Sequence, residues 1–168
     1  GAVWMTRLID PSIKKLSGMM SEMGELATQS IMLAIDSYLY GKNTANQVHQ
    51  ISNEISKRYF EVADLTFDIF LKYQPVADDF RLIRSSIEIS YGFSRFGRYA
   101  YDIASVREVF GDISECDKSW LIEVSDKVKT MIKDSVLYFA ELDIRKSIAM
   151  QENEEFVDKL YKQRLPML

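Results

Sequence analysis

Four arginines, Arg81, Arg84, Arg95 and Arg98, fall on one stripe of a helix-period segment, interleaved with Glu88 and Asp102. A guanidinium stays protonated at any working pH and offers a planar fork of donors to a carboxylate or phosphate. The stripe could therefore dock an acidic partner or hold an anion. The plainer reading is a solvated face stitched by pairs four residues apart, Arg84–Glu88 and Arg98–Asp102. A second cluster, Glu61, Asp64 and Asp68, puts carboxylates on one face of the preceding segment, and Glu88 could join them around a divalent cation. No histidine obviously completes such a site, so the expectation there is an acidic surface and no metal. His49, the single histidine, sits beside an apolar seam as a boundary residue. Cys116, the single cysteine, has acidic neighbours that raise a thiol's pKa and so argue against a reactive nucleophile.

These counts exclude several classes. One cysteine allows no intrachain disulfide, and one histidine is too few for histidine-based metal sites. No Gly-rich phosphate loop, Ser/His/Asp set or Glu-x-x-His di-iron motif is visible, so no catalytic residue and no cofactor is expected, and the chain reads as a non-enzyme. With 21 basic against 25 acidic residues the net charge is −4, and no basic arm supports nucleic-acid binding. No run of about 18 apolar residues calls for membrane insertion, which leaves the cytoplasm, with the membrane reached only through partners. Apolar residues at 47% of 168 supply a core, while three prolines and seven glycines cluster near segment ends.

Those side chains must be carried by long helices. A first helix is expected after Asp10-Pro11-Ser12, with Asp10 as cap, running to about Tyr40. Leu16, Met20, Met23, Ala27, Ser30 and Ala34 step by three and four along its buried seam. Gly41 suits its C-terminus. A second helix is expected over about Thr44–Tyr73 on the seam Val48, Ile51, Ile55, Tyr59, Val62, Thr66, Ile69 and Tyr73, stopped by Pro75. A third runs from near Pro75 to about Val109. It carries two adjoining apolar stripes, Phe80, Ile83, Ile87, Ser90, Ser94, Gly97, Tyr101 and Ala104, and Ile89, Phe93, Phe96, Ala100 and Ile103. The methionines Met19, Met20, Met23 and Met32 read as core filler.

After a linker at 111–119, helices are expected over about Trp120–Glu141 and Ile144–Leu165. The fold class is therefore all-α: an up-down three-helix bundle over 1–110, then a helical hairpin over 120–168. Weak echoes of Tyr38–Asn43 and Asn53–Tyr59 at Tyr138–Asp143 and Glu155–Tyr161 suggest a second copy that stops before its third helix. Val124, Val128, Met131, Ser135, Tyr138 and Leu142 would then lie uncovered, and a homodimer closing a four-helix bundle is expected, or a further helix that completes it.

Three segments carry a family resemblance: Met20-Ser21-Glu22-Met23-Gly24, Gln74-Pro75-Val76-Ala77-Asp78-Asp79-Phe80-Arg81, and Ile87-Glu88-Ile89 through Ala104. In them the chain resembles the PhoU family of phosphate-uptake regulators, built from two tandem three-helix bundles. The resemblance implies a regulator of phosphate uptake and signalling that docks, without turnover, onto a transporter ATPase subunit or a sensor kinase. It also implies an acidic pair, Glu-x-x-x-Asp, in each third helix as metal ligands. Here those positions are Ser94 and Arg98, so the family-type metal cluster is not expected in this first repeat. The alternatives from other classes are a helical adaptor or scaffold that has left phosphate signalling, and a metal-carboxylate protein using Glu61, Asp64, Asp68 and Glu88.

Overall fold

The computed structural model describes residues 8–111, 118–141, 155–159 and 162–163. Four long helices account for most of them: α1 (Asp10–Tyr40), α2 (Ala45–Tyr73), α3 (Ala77–Phe110) and α4 (Ser119–Glu141). No strand occurs among the described residues, and the all-α class expected from periodicity holds. Cys116 and most of the fifth expected helix lie outside the described residues, but 155–159 is helical.

The apolar periods decide which faces meet. Every position of the first seam, from Leu16 to Ala34, is essentially closed to solvent. Val48, Ile55, Val62, Thr66 and Ile69 of α2 are equally buried, and Ile83, Ser90, Phe93 and Ala100 do the same for α3. α1, α2 and α3 each pack on the other two, which is the expected three-helix bundle. Several serine hydroxyls inside it are satisfied locally or across helices. Ser30 Oγ donates to Ala27 O at 2.7 Å, and Ser37 Oγ reaches across to Ala104 O at 3.1 Å. Two seam positions fall outside the core: Tyr73 and Phe80 flank the α2–α3 turn and are exposed, because the stripe there has no helix left to face.

The helix ends differ from the sequence reading in instructive ways. Asp10 is the first helical residue and not the cap; Ile9 holds the cap position, and no side chain bonds the first turn. Thr44 sits at the α2 cap, yet its Oγ1 donates to Leu33 O at 2.7 Å and so ties the α1–α2 turn to α1. Gly41 closes α1 at φ 69°, with its N–H donating to Ser37 O at 3.0 Å. This left-handed conformation is nearly free for glycine and strained for other residues. α3 begins at Ala77, two residues after Pro75. Gln74 and Ala77 take positive φ angles of 44° and 54° to reverse the chain.

α4 does not lie uncovered. Its stripe, Val124, Val128, Met131, Ser135 and Tyr138, is buried against α1, with a lighter contact to α3. Leu142, the last residue of that stripe, is outside the described residues. The exposed apolar face that argued for a homodimer is thus absent from the described part of α4, because α1 itself covers it. Trp120 meets Tyr38 edge-on at 6.3 Å between ring centroids, and Val157 of the 155–159 stretch joins the same core. Met32 is not core filler: it is 55% exposed at the rim of an open groove between α1 and α4.

The α1–α4 approach depends on Gly24. A Cβ built there would stand 2.7 Å from Val136 Cγ2 and 3.3 Å from Ile132 Cγ2, whereas one at Gly18, on exposed helix, would meet nothing within 4 Å. The two glycines should respond oppositely in urea unfolding. Gly18→Ala removes backbone freedom from the unfolded chain and should stabilise by about 0.5–1 kcal/mol. Gly24→Val should destabilise by about 1–3 kcal/mol as α4 is forced off α1. Equal stabilisation by both would show that α4 does not sit against Gly24.

Candidate functional site

α3 carries all four arginines, but it does not gather them. With a helical rise of about 1.5 Å per residue, Arg81 and Arg98 lie about 25 Å apart along the axis. Arg81 pairs with Asp78 at 3.2 Å and Arg84 with Glu88 at 3.4 Å, all four side chains well exposed. Such exposed pairs contribute little to stability. No single small anion can span the whole stripe.

Arg95 stands apart from the others. Its side chain is only 20% exposed, and one guanidinium nitrogen donates to Asp158 Oδ1 at 2.8 Å and to Tyr99 OH at 2.6 Å. The same guanidinium lies 5.5 Å from the Tyr99 ring centroid and 6.0 Å from that of Tyr91. Burial works against its charge, but the hydrogen bonds with Tyr99 and Asp158 outweigh burial and hold its pKa above the ordinary value. Arg95 is therefore a clamp that fixes the 155–159 stretch on α3. Nothing in the sequence pairs positions 95 and 158, so this role was not legible there.

Arg98 opens onto a different place, a hollow of about 430 Å³ between α2 and α3. His49, Ser52, Asn53 and Ser56 line it from α2, and Tyr101 and Asp102 from α3. His49 is exposed and stacks on Tyr101, 4.6 Å between centroids and 25° from parallel, which places it on the rim of this hollow. The two helices come close here because Gly97 has no Cβ; one added there would stand 3.3 Å from Ser52 Cα. Ser94 is buried at 7% exposure, one turn before Arg98. The positions where the resemblance implies carboxylates thus hold a buried hydroxyl and an exposed guanidinium. A hydroxyl is a poor ligand for a cation, and a guanidinium repels one.

The acidic cluster is placed elsewhere. Glu61, Asp64 and Asp68 are all exposed on the outer side of α2, and Glu88 is engaged by Arg84 on α3. Among the described residues no three of His, Cys, Asp and Glu come together as metal ligands would. Arg58, one turn before this cluster, links α2 to α1. It bonds Glu54 at 3.1 Å and pairs with Glu22 across the helices. The hydrogen bond that Arg58 donates to Glu54 raises its pKa, against a smaller opposing effect of burial, with further attraction from Glu22, Glu54 and Glu61.

One feature of this surface was missed in the sequence. Phe60, Phe67 and Leu71 are 65%, 63% and 66% exposed along the outer side of α2, beside the acidic cluster. Their spacing of seven and four carries a signal, since it repeats on one helical face. It was hidden by the stronger seam of Val62, Thr66 and Ile69 on the other side.

The architecture defines a class: an all-helical bundle of long amphipathic helices whose polar groups pair along its faces, in which no described helix is long and apolar enough to cross a membrane. A family model described as PhoU domain matches residues 20–106, which spans most of α1, α2 and α3, and the chain belongs to that family. It is 26% identical over 162 residues to a protein of Clostridium acetobutylicum named phosphate-specific transport system accessory protein PhoU homolog, covering 94% of this chain and 74% of that one. Proteins of the same name from Pseudomonas putida and Zymomonas mobilis are each 23% identical. They cover 85% and 92% of this chain, which in turn spans 57% and 66% of theirs. No solved structure matches significantly.

The Arg95 clamp is directly testable. Asp158→Ala should lower stability by about 1 kcal/mol, a modest figure because both groups are partly solvated. It should also raise the hydrogen-exchange rates of amides 155–159 relative to those of α2. In a double-mutant cycle, Arg95→Ala and Asp158→Ala should be less than additive. Strict additivity would show that the pair contributes no coupling.

Proposed function

We propose that the chain is a non-catalytic accessory regulator of phosphate transport, which acts in the cytoplasm by docking onto a protein of the transport or signalling machinery. The observation that carries this is the PhoU domain match over 20–106, together with three relatives named as phosphate-specific transport system accessory proteins. The relatives' name speaks of transport; the docking mechanism is our extension of it. The distribution of polar groups supports docking: arginines and carboxylates are spread along α2 and α3 over tens of ångströms, a scale suited to a protein surface rather than to a small substrate. The partner this reading favours is the ATP-hydrolysing subunit of a phosphate transporter, with a sensor kinase as the second choice.

Arg98 and Ser94 give the reading its particular form. A cation cluster held between α2 and α3 is not part of it; the hollow beside Gly97 presents donors instead, so regulation here would not depend on bound metal. Expression of the chain in a bacterium lacking its own PhoU-type gene should restore repression of phosphate uptake in phosphate-rich medium. The protein prepared with chelator throughout should bind the transporter ATPase as well as the untreated protein does. A folded, expressed chain that changes neither uptake nor phosphate-responsive transcription would overturn the proposal.

A further inference from the structure

The outer side of α2 is the least expected surface on the molecule. On a helix advancing about 100° per residue, Phe60, Phe67 and Leu71 fall within about 40° of one another. The buried residues Ile55, Val62 and Ile69 centre on the opposite side of the same helix. No rotation or repacking within the bundle can bury both sets. Single exposed apolar residues are ordinary, but a row of large ones along three turns marks a contact surface.

Charge says what the contact is. From Glu61 to Leu71 the segment contains three carboxylates, Glu61, Asp64 and Asp68, and no basic residue. All three are exposed and border the apolar row on one side; Lys57 and Lys72 lie just beyond its two ends. The row is about 16 Å long, or three helical turns. Aromatic contacts extend it onto α3 at each end. Phe60 lies 5.4 Å from Tyr59, which lies 5.9 Å from Tyr91, and Phe70 lies 5.6 Å from Phe80.

We infer that this ridge is the docking surface for an amphipathic helix of a protein partner, one with an apolar stripe bordered by lysine or arginine. The apolar row supplies the affinity of such a contact, and the carboxylate border sets its register and selects a basic partner. The same carboxylates disfavour an anionic membrane surface, whose headgroups they would repel. They equally disfavour a second copy of the chain meeting ridge to ridge in antiparallel fashion, where three carboxylates would face three. The inference rests on the docking reading above and specifies its surface.

The test uses the full chain and three synthetic 18-residue helical peptides that share one leucine stripe, bordered by lysine, by glutamate or by glutamine. Fluorescence anisotropy should show the lysine peptide binding at least about tenfold more tightly than the glutamate peptide. The variant Phe67→Ser/Leu71→Ser keeps every charge and removes no core contact, and it should weaken the lysine peptide by about tenfold or more. Asp64→Lys/Asp68→Lys should reverse the preference towards the glutamate peptide. Equal binding of all three peptides would overturn the inference, as would a Phe67→Ser/Leu71→Ser variant that binds unchanged. A wild-type dimer that this variant converts to monomer would assign the ridge to a second copy and overturn it too, and so would ridge-dependent binding to vesicles containing phosphatidylserine. The two proposals fail separately. If Phe67→Ser/Leu71→Ser restores phosphate regulation as fully as wild type does, the ridge is not the docking surface and the regulatory reading stands. If wild type restores nothing but the peptide preferences hold, the regulatory reading falls and the ridge stands.

Discussion

Two missing side chains set the spacing on which this fold depends. At Gly24 the α1 backbone comes so near to α4 that a methyl group would overlap Val136, and at Gly97 α3 approaches the backbone of Ser52 on α2 almost as closely. A glycine inside a helix sacrifices up to about 1 kcal/mol relative to alanine, so each of these positions needs a compensating contact. The compensation is visible on either side of each one. Around Gly24, Met20, Met23 and Ala27 are fully buried, while α4 brings Ile132 and Met131 into the same core. Around Gly97, Phe96 and Ala100 on α3 and Ile55 on α2 are closed to solvent. At the close crossing by Gly97, Ser52 lies against the α3 backbone, and Ser52 and Ser56 line the polar hollow beside Arg98.

This arrangement makes α1 the element that every other described helix needs. It touches α2, α3 and α4, and its apolar arc is correspondingly wide. α2 is the opposite case. Among the described residues it packs mainly on α1 and α3, keeps a narrow buried seam and leaves its other side exposed. A surface available for partners is therefore a consequence of topology. The helix farthest from α4 is the one free to carry phenylalanines that the core does not use.

Much of the helical framework could be read from residue spacing. Steps of three and four from Leu16 to Ala34 and from Val48 to Ile69 placed both seams correctly, and Gly41 and Pro75 located two of the turns. The ends moved by one or two residues: Asp10, expected as a cap, is the first helical residue, and Thr44 precedes α2 with its hydroxyl bonded to Leu33 O. What periodicity could not give was the partner of a face. The stripe from Val124 to Tyr138 was visible, but not that α1 would cover it, since a repeat of apolar residues fixes an orientation and says nothing of what lies opposite. The same limit hid the Arg95–Asp158 bond, which joins residues 63 apart in sequence. It also grouped Arg95 with Arg81, Arg84 and Arg98 as equals, when one is a half-buried clamp and the other three are exposed.

The departure at Ser94 and Arg98 has a physical logic that concerns the neighbours as much as the residues themselves. A carboxylate at position 94 would stand where only 7% of the residue meets solvent, and without a cation its charge would have to be met by protein groups or removed by protonation. Serine avoids that burden. Arg98 would repel a cation in the hollow, where Ser52, Asn53 and Asp102 also supply polar atoms to the lining. The two residues agree in chemistry: a buried hydroxyl is a poor cation ligand, and a guanidinium one turn on repels a cation. On the docking reading proposed above, the exposed side of α2, with Phe60, Phe67 and Leu71, therefore matters more than positions 94 and 98.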